Sequence, residues 1–297
     1  MRLPIPVRPR FPLGPATWPG GVERPPAKKR TGVDYDTSWA RRYPVRMARA
    51  LLLDGVTKPV VQALASPTID GLDRIQDLPA PVIFAANHAS HLDTPLLLTS
   101  LPPRFRHRAV VVAAADYFFD KRWKAAFNAF SIGAVPMERT KVNRRSAIEA
   151  GKLIEDGWSL VIFPEGGRSP LGWAQEFKGG AAYLAIRTGV PVVPVHIEGT
   201  RRVLKKGAKR LTPSHTNLTF GRALRPLEGE DSRQMAVRIE QAVAELADEQ
   251  AHDWWTARRR AASGATASIT GPDAGAWRRS WALGEHKRGP KRDRWPA

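Results

Sequence analysis

Two histidines and an aspartate lie within seven residues in the segment NHASHLD, at positions 87–93. Such a group could hold a metal ion, activate a serine, act as a general base, or form a turn in which a histidine caps a helix. Its H-x-x-H-x-D spacing lacks the alternate histidines of metallo-hydrolase loops, and the other histidines show no ligand spacing, so we predict no metal site. No G-x-S-x-G elbow surrounds Ser90, which disfavours a serine nucleophile.

The remaining pair is His88 and Asp93, which lie five residues apart. On a straight helix five residues turn the chain through about 500°, so the two side chains would point apart. At a turn between a strand and a helix they can meet, and a carboxylate bonded to one imidazole nitrogen leaves the other nitrogen basic. Since no nucleophilic side chain lies between them, the pattern predicts that His88 is a general base acting on a substrate hydroxyl.

Two further segments place polar side chains after an apolar run. FPEGGRS contains Glu165 and Arg168, and GAVPMER ends with Arg139. Parallel strands bring their carboxyl ends to one edge of a sheet, where open α/β sheets bind ligands. We therefore expect these side chains to share one cleft with His88. Two guanidinium groups at one cleft suit a phosphate dianion, which they bind in bidentate fashion.

The elements that must position these residues follow from the alternation of short apolar, β-branched runs with helical patterns. This alternation predicts an α/β fold, a layered single domain with a largely parallel central sheet and flanking helices. The predicted strands lie at 81–86, 109–114, 132–137, 159–163, 191–197 and 216–221. The predicted helices lie at 92–101, 121–131, 141–156, 179–189 and 231–251, the last with an aspartate N-cap.

Composition divides the chain into four parts. Residues 1–33 and 258–297 contribute +6 and +7 to the net charge of +19, and both are predicted to be disordered basic tails, the first rich in proline. The sequence pattern of residues 34–69 predicts an amphipathic helical segment that could contact a membrane surface. Residues 70–257 are the predicted catalytic domain, closed by the helix at its end.

Composition also excludes several classes. The absence of cysteine excludes disulfides, thiolate metal sites and a cysteine nucleophile. No apolar run approaches the roughly 18–20 residues of a membrane-spanning helix, and no secretory signal is recognisable, so we expect a cytoplasmic protein. There is no P-loop, no G-x-G-x-x-G and no DNA- or RNA-binding motif. Nucleic acid is therefore not the expected partner, although basic tails attract polyanions.

The ordered segments resemble the glycerolipid acyltransferase family, the 1-acylglycerol-3-phosphate (lysophosphatidate) O-acyltransferases. NHASHLD is similar to the family's N-H-x-S-x-x-D, GAVPMER to its second block, FPEGGRS to F-P-E-G-T-R-S, and VPVVP to V-P-V-x-P. FKGGAAYLA, which contains Lys178, is similar to the family's Phe-Lys-x-Gly stretch. The resemblance covers about residues 70–226, and the chain departs from the family pattern at Gly167, Pro136 and His91.

This resemblance implies transfer of a fatty acyl group from acyl-CoA or acyl carrier protein to the hydroxyl of a lysophosphatidate-type glycerophospholipid, in phospholipid biosynthesis and without a cofactor or metal. It implies two catalytic residues, His88 and Asp93. The substrate-binding residues that it implies are Arg139, Glu165, Gly166, Arg168, Ser169 and Lys178. The same chemistry on glycerol 3-phosphate, another lysophospholipid or a glycolipid stays open. So does a non-catalytic basic protein that binds lipid or nucleic acid.

Acyl-chain substrates reside in or near membranes, so we expect a peripheral protein at the cytoplasmic side of the cell membrane. In the segment 37–64, apolar residues alternate with Arg41, Arg42, Arg46 and Arg49. This segment and the basic tails are predicted to contact an anionic membrane surface. Arginine exceeds lysine by 34 to 13, which favours a G+C-rich genome such as that of many bacteria.

Overall fold

The computed structural model of the chain describes residues 32–138, 144–169, 172–205, 207–208 and 210–270. Almost all of the first predicted tail, and the second beyond residue 270, lie outside these residues. Arg139, predicted to bind the acceptor phosphate, also lies outside them.

The strands in the described part of the chain are β1 (Pro67–Asp70), β2 (Ile83–Ala86), β3 (Ala109–Ala114), β4 (Ala134–Met137), β5 (Ser159–Ile162), β6 (Val192–Glu198) and β7 (Thr216–Phe220). They form one sheet in the order β1-β7-β6-β2-β5-β3-β4. Strands β6, β2, β5, β3 and β4 run parallel, whereas β7 pairs with β6 in antiparallel fashion. The predicted, largely parallel sheet is confirmed, and the carboxyl ends of β2 to β6 meet at one edge.

Helices flank the sheet, and the five helices predicted from the sequence are α3, α6, α7, α8 and α10. The α-helices are α1 (Tyr43–Leu52), α2 (Lys58–Ala65), α3 (Asp93–Ser100), α4 (Pro103–Arg106), α5 (Ala115–Phe118), α6 (Arg122–Ile132), α7 (Arg144–Glu155), α8 (Gly180–Thr188), α9 (Thr200–Val203), α10 (Ser232–Ala251) and α11 (Trp254–Ala262). A π-helical turn, Leu53–Thr57, joins α1 to α2, so that the amino-terminal segment is one helix with a π-helical interruption.

Successive residues of the central strands point to opposite faces of the sheet and into separate apolar clusters. In β2, Phe84 and Ala86 belong to the cluster shared with α2 and α3, and Ile83 and Ala85 to the cluster shared with α7, α8 and α10. Because both faces are covered, β2 and β3 are continuous apolar runs without polar alternation.

The amino-terminal helical segment ends earlier than the predicted residue 69. Helix α2 ends at Ala65, and Pro67–Asp70 form the edge strand β1, which pairs in parallel with β7. Ser66 adopts a left-handed φ of 36°, and Pro67 has no amide hydrogen to continue the helix. A strand of this length gives too short a pattern for sequence periodicity to detect.

Helix α11 crosses residue 258, where the sequence predicts the carboxyl-terminal tail to begin. The side chain of Asp253 caps this helix by accepting the backbone N–H groups of Trp255 and Thr256. Beyond the helix, Ile269 packs against the apolar cluster of α7, α8 and α10. None of the helices in the described part of the chain is long and apolar enough to cross a membrane.

Candidate active site

His88 lies at the carboxyl end of β2, in the turn that leads into α3. Its Nδ1 donates to Asp93 Oδ2 at 2.8 Å, and Asp93 is the first residue of α3. The same carboxylate oxygen accepts the backbone N–H groups of Ala89 and Ser90 at 2.7 and 2.8 Å. Because Asp93 is fully buried and can only accept, the imidazole carries its hydrogen on Nδ1 and keeps Nε2 as the basic atom.

The His88 loop, residues 87–93, is held by neighbouring elements as well as by Asp93. Asn87 exchanges two hydrogen bonds with the backbone of Ile197 in β6, at 2.8 and 2.7 Å. The hydroxyl of Ser90 donates to the carbonyl of Leu204 at 2.8 Å. The ring of Phe163 stacks on the His88 imidazole, with ring centres 4.2 Å apart. Asp93 and Phe163 therefore orient the imidazole, while Asn87 and Ser90 hold the loop that carries it.

Glu165 lies under this loop and is 2% exposed. One carboxyl oxygen accepts the backbone N–H of His88 at 2.6 Å, and the other accepts that of Gln175 at 2.9 Å. Burial raises the pKa of Glu165 to about 8, although both N–H bonds favour the charged form. Both oxygens of this predicted substrate-binding residue thus have backbone partners.

Ser169, Gly166 and Lys178 complete the surroundings of the loop. The N–H of Ser169 donates to the His88 carbonyl at 2.8 Å, and its hydroxyl accepts the N–H of Gly172 at 3.0 Å. Gly166 has a φ of 69°, and a Cβ there would lie 2.7 Å from the ammonium of Lys178. The positive φ favours glycine at 166, and a side chain there would displace the ammonium of Lys178.

An apolar pocket opens beside His88 at the carboxyl ends of β3, β4 and β5. Its cavity volume is about 140 Å³, and the pocket is partly open to solvent. Its apolar wall is formed by Val111, Val112, Ala113, Ala114, Phe118, Ile132, Met137, Ile162 and Phe163. Gly166 and Lys178 lie at its polar side together with His88. The pocket thus joins a basic nitrogen and a cation to a space suited to hydrocarbon.

Arg168 lies next to the His88 loop, near the stacked rings of Tyr117 and His91. Its guanidinium carbon is 6.0 Å from the ring centre of Tyr117, which stacks on His91 at 5.6 Å. The Nε2 of His91 is 3.1 Å from the Tyr117 hydroxyl. Burial, followed by the charge of Arg168, lowers the pKa of His91 to about 4, so this ring is neutral at pH 7.

Sequence reasoning missed two partners of the site, Arg201 and Gln175. Arg201 follows β6 and donates Nη1 to the Ser169 carbonyl at 3.3 Å. The rule that selected Arg168, a cation just after a parallel strand, applies equally to Arg201. Gln175 acts through its backbone N–H, which has no signature in sequence. For Arg139, the described neighbour Glu138 lines the pocket at the end of β4.

Comparison with known proteins places this arrangement in a family. Residues 67–198 match the family model described as Acyltransferase. The 1-acyl-sn-glycerol-3-phosphate acyltransferase BAT2 of Brassica napus is 32% identical over 48% of this chain and 40% of its own length. A probable 1-acyl-sn-glycerol-3-phosphate acyltransferase of Mycoplasma genitalium is 27% identical over 56% of this chain and 65% of its own. The match therefore spans about two fifths of the length of the Brassica relative.

The crystal structure of the 1-acyl-sn-glycerophosphate (LPA) acyltransferase PlsC from Thermotoga maritima shares the fold. It superimposes with a TM-score of 0.55 at 24% identity, covering 72% of this chain and 83% of the Thermotoga chain. The matched segment 67–198 contains the His88 loop, Glu165 and Lys178. Residues 67–198 match the acyltransferase family and are homologous to the 1-acyl-sn-glycerol-3-phosphate acyltransferases.

Proposed function

We propose that this chain is an enzyme that transfers a fatty acyl group from an acyl thioester, acyl-CoA or acyl carrier protein, to the hydroxyl of a lysophosphatidate-type acceptor. The observation that carries this proposal is the His88–Asp93 pair, whose Nδ1–Oδ2 distance is 2.8 Å, at the edge of an apolar pocket. A positioned base next to a hydrocarbon-sized space is what transfer of an acyl chain to an alcohol requires.

The reaction follows from the tautomer that Asp93 selects. His88 Nε2 takes the proton of the acceptor hydroxyl while its oxygen attacks the thioester carbonyl. The tetrahedral intermediate then breaks its carbon–sulfur bond, and the leaving thiolate takes the proton back from the imidazolium. Asp93 stabilises that imidazolium and holds the ring in place. General-base help of this kind contributes about 10²–10⁴ in rate.

The acyl chain would occupy the apolar pocket, with its thioester carbonyl near His88. The pocket wall combines β-branched and small residues of β3 with Met137 and Phe163. Burial of each methylene group contributes about 0.8 kcal/mol, so a long chain would supply much of the binding free energy.

The acceptor phosphate would bind to the cationic group, which we define as Arg168, Lys178 and Arg201, supplemented by Arg139. Arg201 contacts Ser169 and Lys178 contacts Gly166, so both cations lie against the loop that contains Arg168. Guanidinium groups bind phosphate oxygens in bidentate fashion. Glu165 and Ser169, predicted to bind substrate, are instead assigned the role of holding the loops, because both are buried and bonded to backbone groups.

We further propose that the apolar face of α1 docks peripherally on a membrane. Tyr43, Met47 and Leu51 lie one helical turn apart and are 70%, 46% and 72% exposed. Trp123 and Phe127 form a similar pair on α6, which packs against α1, and are 66% and 61% exposed. Contiguous exposed apolar surface of this kind is typical of membrane or protein contacts.

The predicted role of the α1 arginines differs from what the structure shows. Arg49 is 4% exposed and donates to the carbonyl of Ala129 at 3.3 Å, in the last turn of α6. Arg46 lies over the ring of Trp158, 5.2 Å from its centre. A cation at a helix carboxyl end is favoured by the helix dipole, and arginine stacks well on indole. The arginines thus face the domain, and the apolar side chains face outward.

Vesicle flotation tests this docking. Leu51→Glu should reduce binding to anionic vesicles, because it places a charge on the apolar face. Val237→Glu is the matched control, because Val237 is a 62% exposed residue of α10. Equal flotation of the two variants would contradict docking through α1, whereas equal binding to neutral and anionic vesicles would contradict a role for the basic tails.

The enzymatic proposal is tested by crossing acyl-CoA and acyl carrier protein donors with lysophosphatidate, glycerol 3-phosphate and other lysophospholipids, and identifying products by mass spectrometry. We expect the fastest acylation on lysophosphatidate and a loss of at least about 100-fold with His88→Ala. Circular dichroism verifies that this variant is folded. No product from any pair, or an equal yield from folded His88→Ala, would overturn the proposal.

A further inference from the structure

We propose that the carboxyl-terminal strap, residues 265–270, positions the active site by holding the segment that braces Glu165. We define the bracing segment as residues 172–177. The inference rests on the proposed acyl transfer. It assigns a role in that reaction to residues outside 67–198, the segment that matches the family model. None of residues 265–270 lines the pocket, so they are positioning residues.

The bracing segment lacks regular secondary structure and depends on contacts with other elements. The N–H of Gln175 donates to Glu165 at 2.9 Å, and that of Phe177 donates to Glu240 in α10 at 2.8 Å. The N–H of Ala174 donates to the carbonyl of Ile269 in the strap at 3.0 Å. The amide next to the one that binds Glu165 is therefore held by the strap.

The strap is anchored to the rest of the domain near both of its ends. At its start, the N–H of Ala265 donates to the carbonyl of Arg260 in α11 at 2.8 Å, and Arg260 forms an ion pair with Asp248 of α10 at 2.7 Å. At its end, the side chain of Ile269 packs in the apolar cluster that also contains Phe177. Ile269 thus holds the bracing segment with its backbone and the domain with its side chain.

Glu165 transmits this position to the proposed base. Its two oxygens accept from Gln175 and from His88, so a shift of the bracing segment leaves one oxygen without a donor in a buried site. The loss of a hydrogen bond to a buried polar group is costly, and Glu165 would move to recover a partner. The backbone of His88 would follow, and misplacement by about 1 Å can cost up to about 100-fold in rate.

The test compares Ile269→Asp with Ala267→Asp in the full-length chain. Both introduce the same charge in the strap, but Ala267 is exposed, whereas Ile269 packs in the apolar cluster. We expect Ile269→Asp to lower kcat by about 10-fold with the acyl-donor KM unchanged, and Ala267→Asp to match the native chain. Ile269→Val should restore native kcat, because it keeps the apolar contact.

Hydrogen exchange of the peptide containing residues 172–177 gives a second readout, which does not depend on activity. The amides of Ala174 and Gln175 should exchange faster in Ile269→Asp and at the native rate in Ala267→Asp. Folded Ile269→Asp with native kcat and native exchange would overturn the proposal. If that variant does not fold, Ile269→Ala is judged by the same criterion.

If the native chain transfers no acyl group, the proposed function fails. Hydrogen exchange still decides whether the strap holds the bracing segment.

Discussion

The candidate site has two parts that are built differently, a base end around His88 and a cationic end that contains Arg168, Lys178 and Arg201. At the base end, Asp93 and Glu165 are buried, and their carboxyl groups bind backbone N–H groups within the loops that they shape. At the cationic end, Lys178 is exposed and Arg168 is half-buried, and Arg201 reaches the site from a third strand end. The base end is fixed by buried carboxyl groups that bind backbone N–H groups, whereas the cationic end consists of more exposed side chains from separate loops.

This difference matches the two tasks proposed for the site. Proton transfer requires a fixed geometry, since its rate depends on small displacements of the base. Phosphate binding tolerates adjustment, because several cations share one dianion and each contributes part of the affinity. Substitutions at the base end should therefore act on kcat, and those at the cationic end on the acceptor KM.

Asp93→Asn should have the largest effect in a direct test of the base end. The amide oxygen can still accept from the loop amides, but the residue loses the charge that stabilises the imidazolium and selects its tautomer. We expect kcat to fall by about 10²–10⁴ with both KM values nearly unchanged. Asp73→Asn, at an exposed position, is the charge-matched control. A kcat within about tenfold of native would mean that Asp93 only shapes the loop.

Arg168→Ala should have an intermediate effect and a different kinetic signature. Loss of a charge-assisted hydrogen bond costs about 1.5–3 kcal/mol, which corresponds to about a 10- to 150-fold rise in the lysophosphatidate KM. Monoacylglycerol, which lacks the phosphate, should be acylated by this variant as slowly as by the native chain. Arg187→Ala, at an exposed position on α8, serves as the control. An unchanged acceptor KM would remove Arg168 from the phosphate site.

The same contrast explains what the sequence could predict. The His88–Asp93 contact was predictable, because a strand end, a turn and a helix start lie within one short segment of known periodicity. The helices and buried strands were predictable for the same reason. The partners of Glu165 were not, since backbone N–H groups of residues 88 and 175 carry no sequence signature. The direction in which Arg46 and Arg49 face depends on tertiary packing against Trp158 and Ala129.

Glu165→Gln tests the base end through the pH dependence of stability. The folded chain holds the carboxyl proton up to its pKa of about 8, whereas a free carboxyl releases it near 4.5. The native free energy of unfolding should therefore fall as pH rises from about 4.5 through 8, by up to about 1.4 kcal/mol per unit. Glutamine cannot titrate, so the curve of the variant should be flatter over this window.

Urea unfolding of both chains between about pH 5 and pH 9 measures this difference. A native curve that runs parallel to that of the glutamine variant over this window would show that Glu165 is ionised in the folded chain, because the folded and unfolded chains would then bind the same number of protons. In that case, the N–H groups of His88 and Gln175 would outweigh the cost of burying the charge. The base end would then contain a second buried anion beside Asp93, and its rigidity would come from charge-assisted bonds to the backbone.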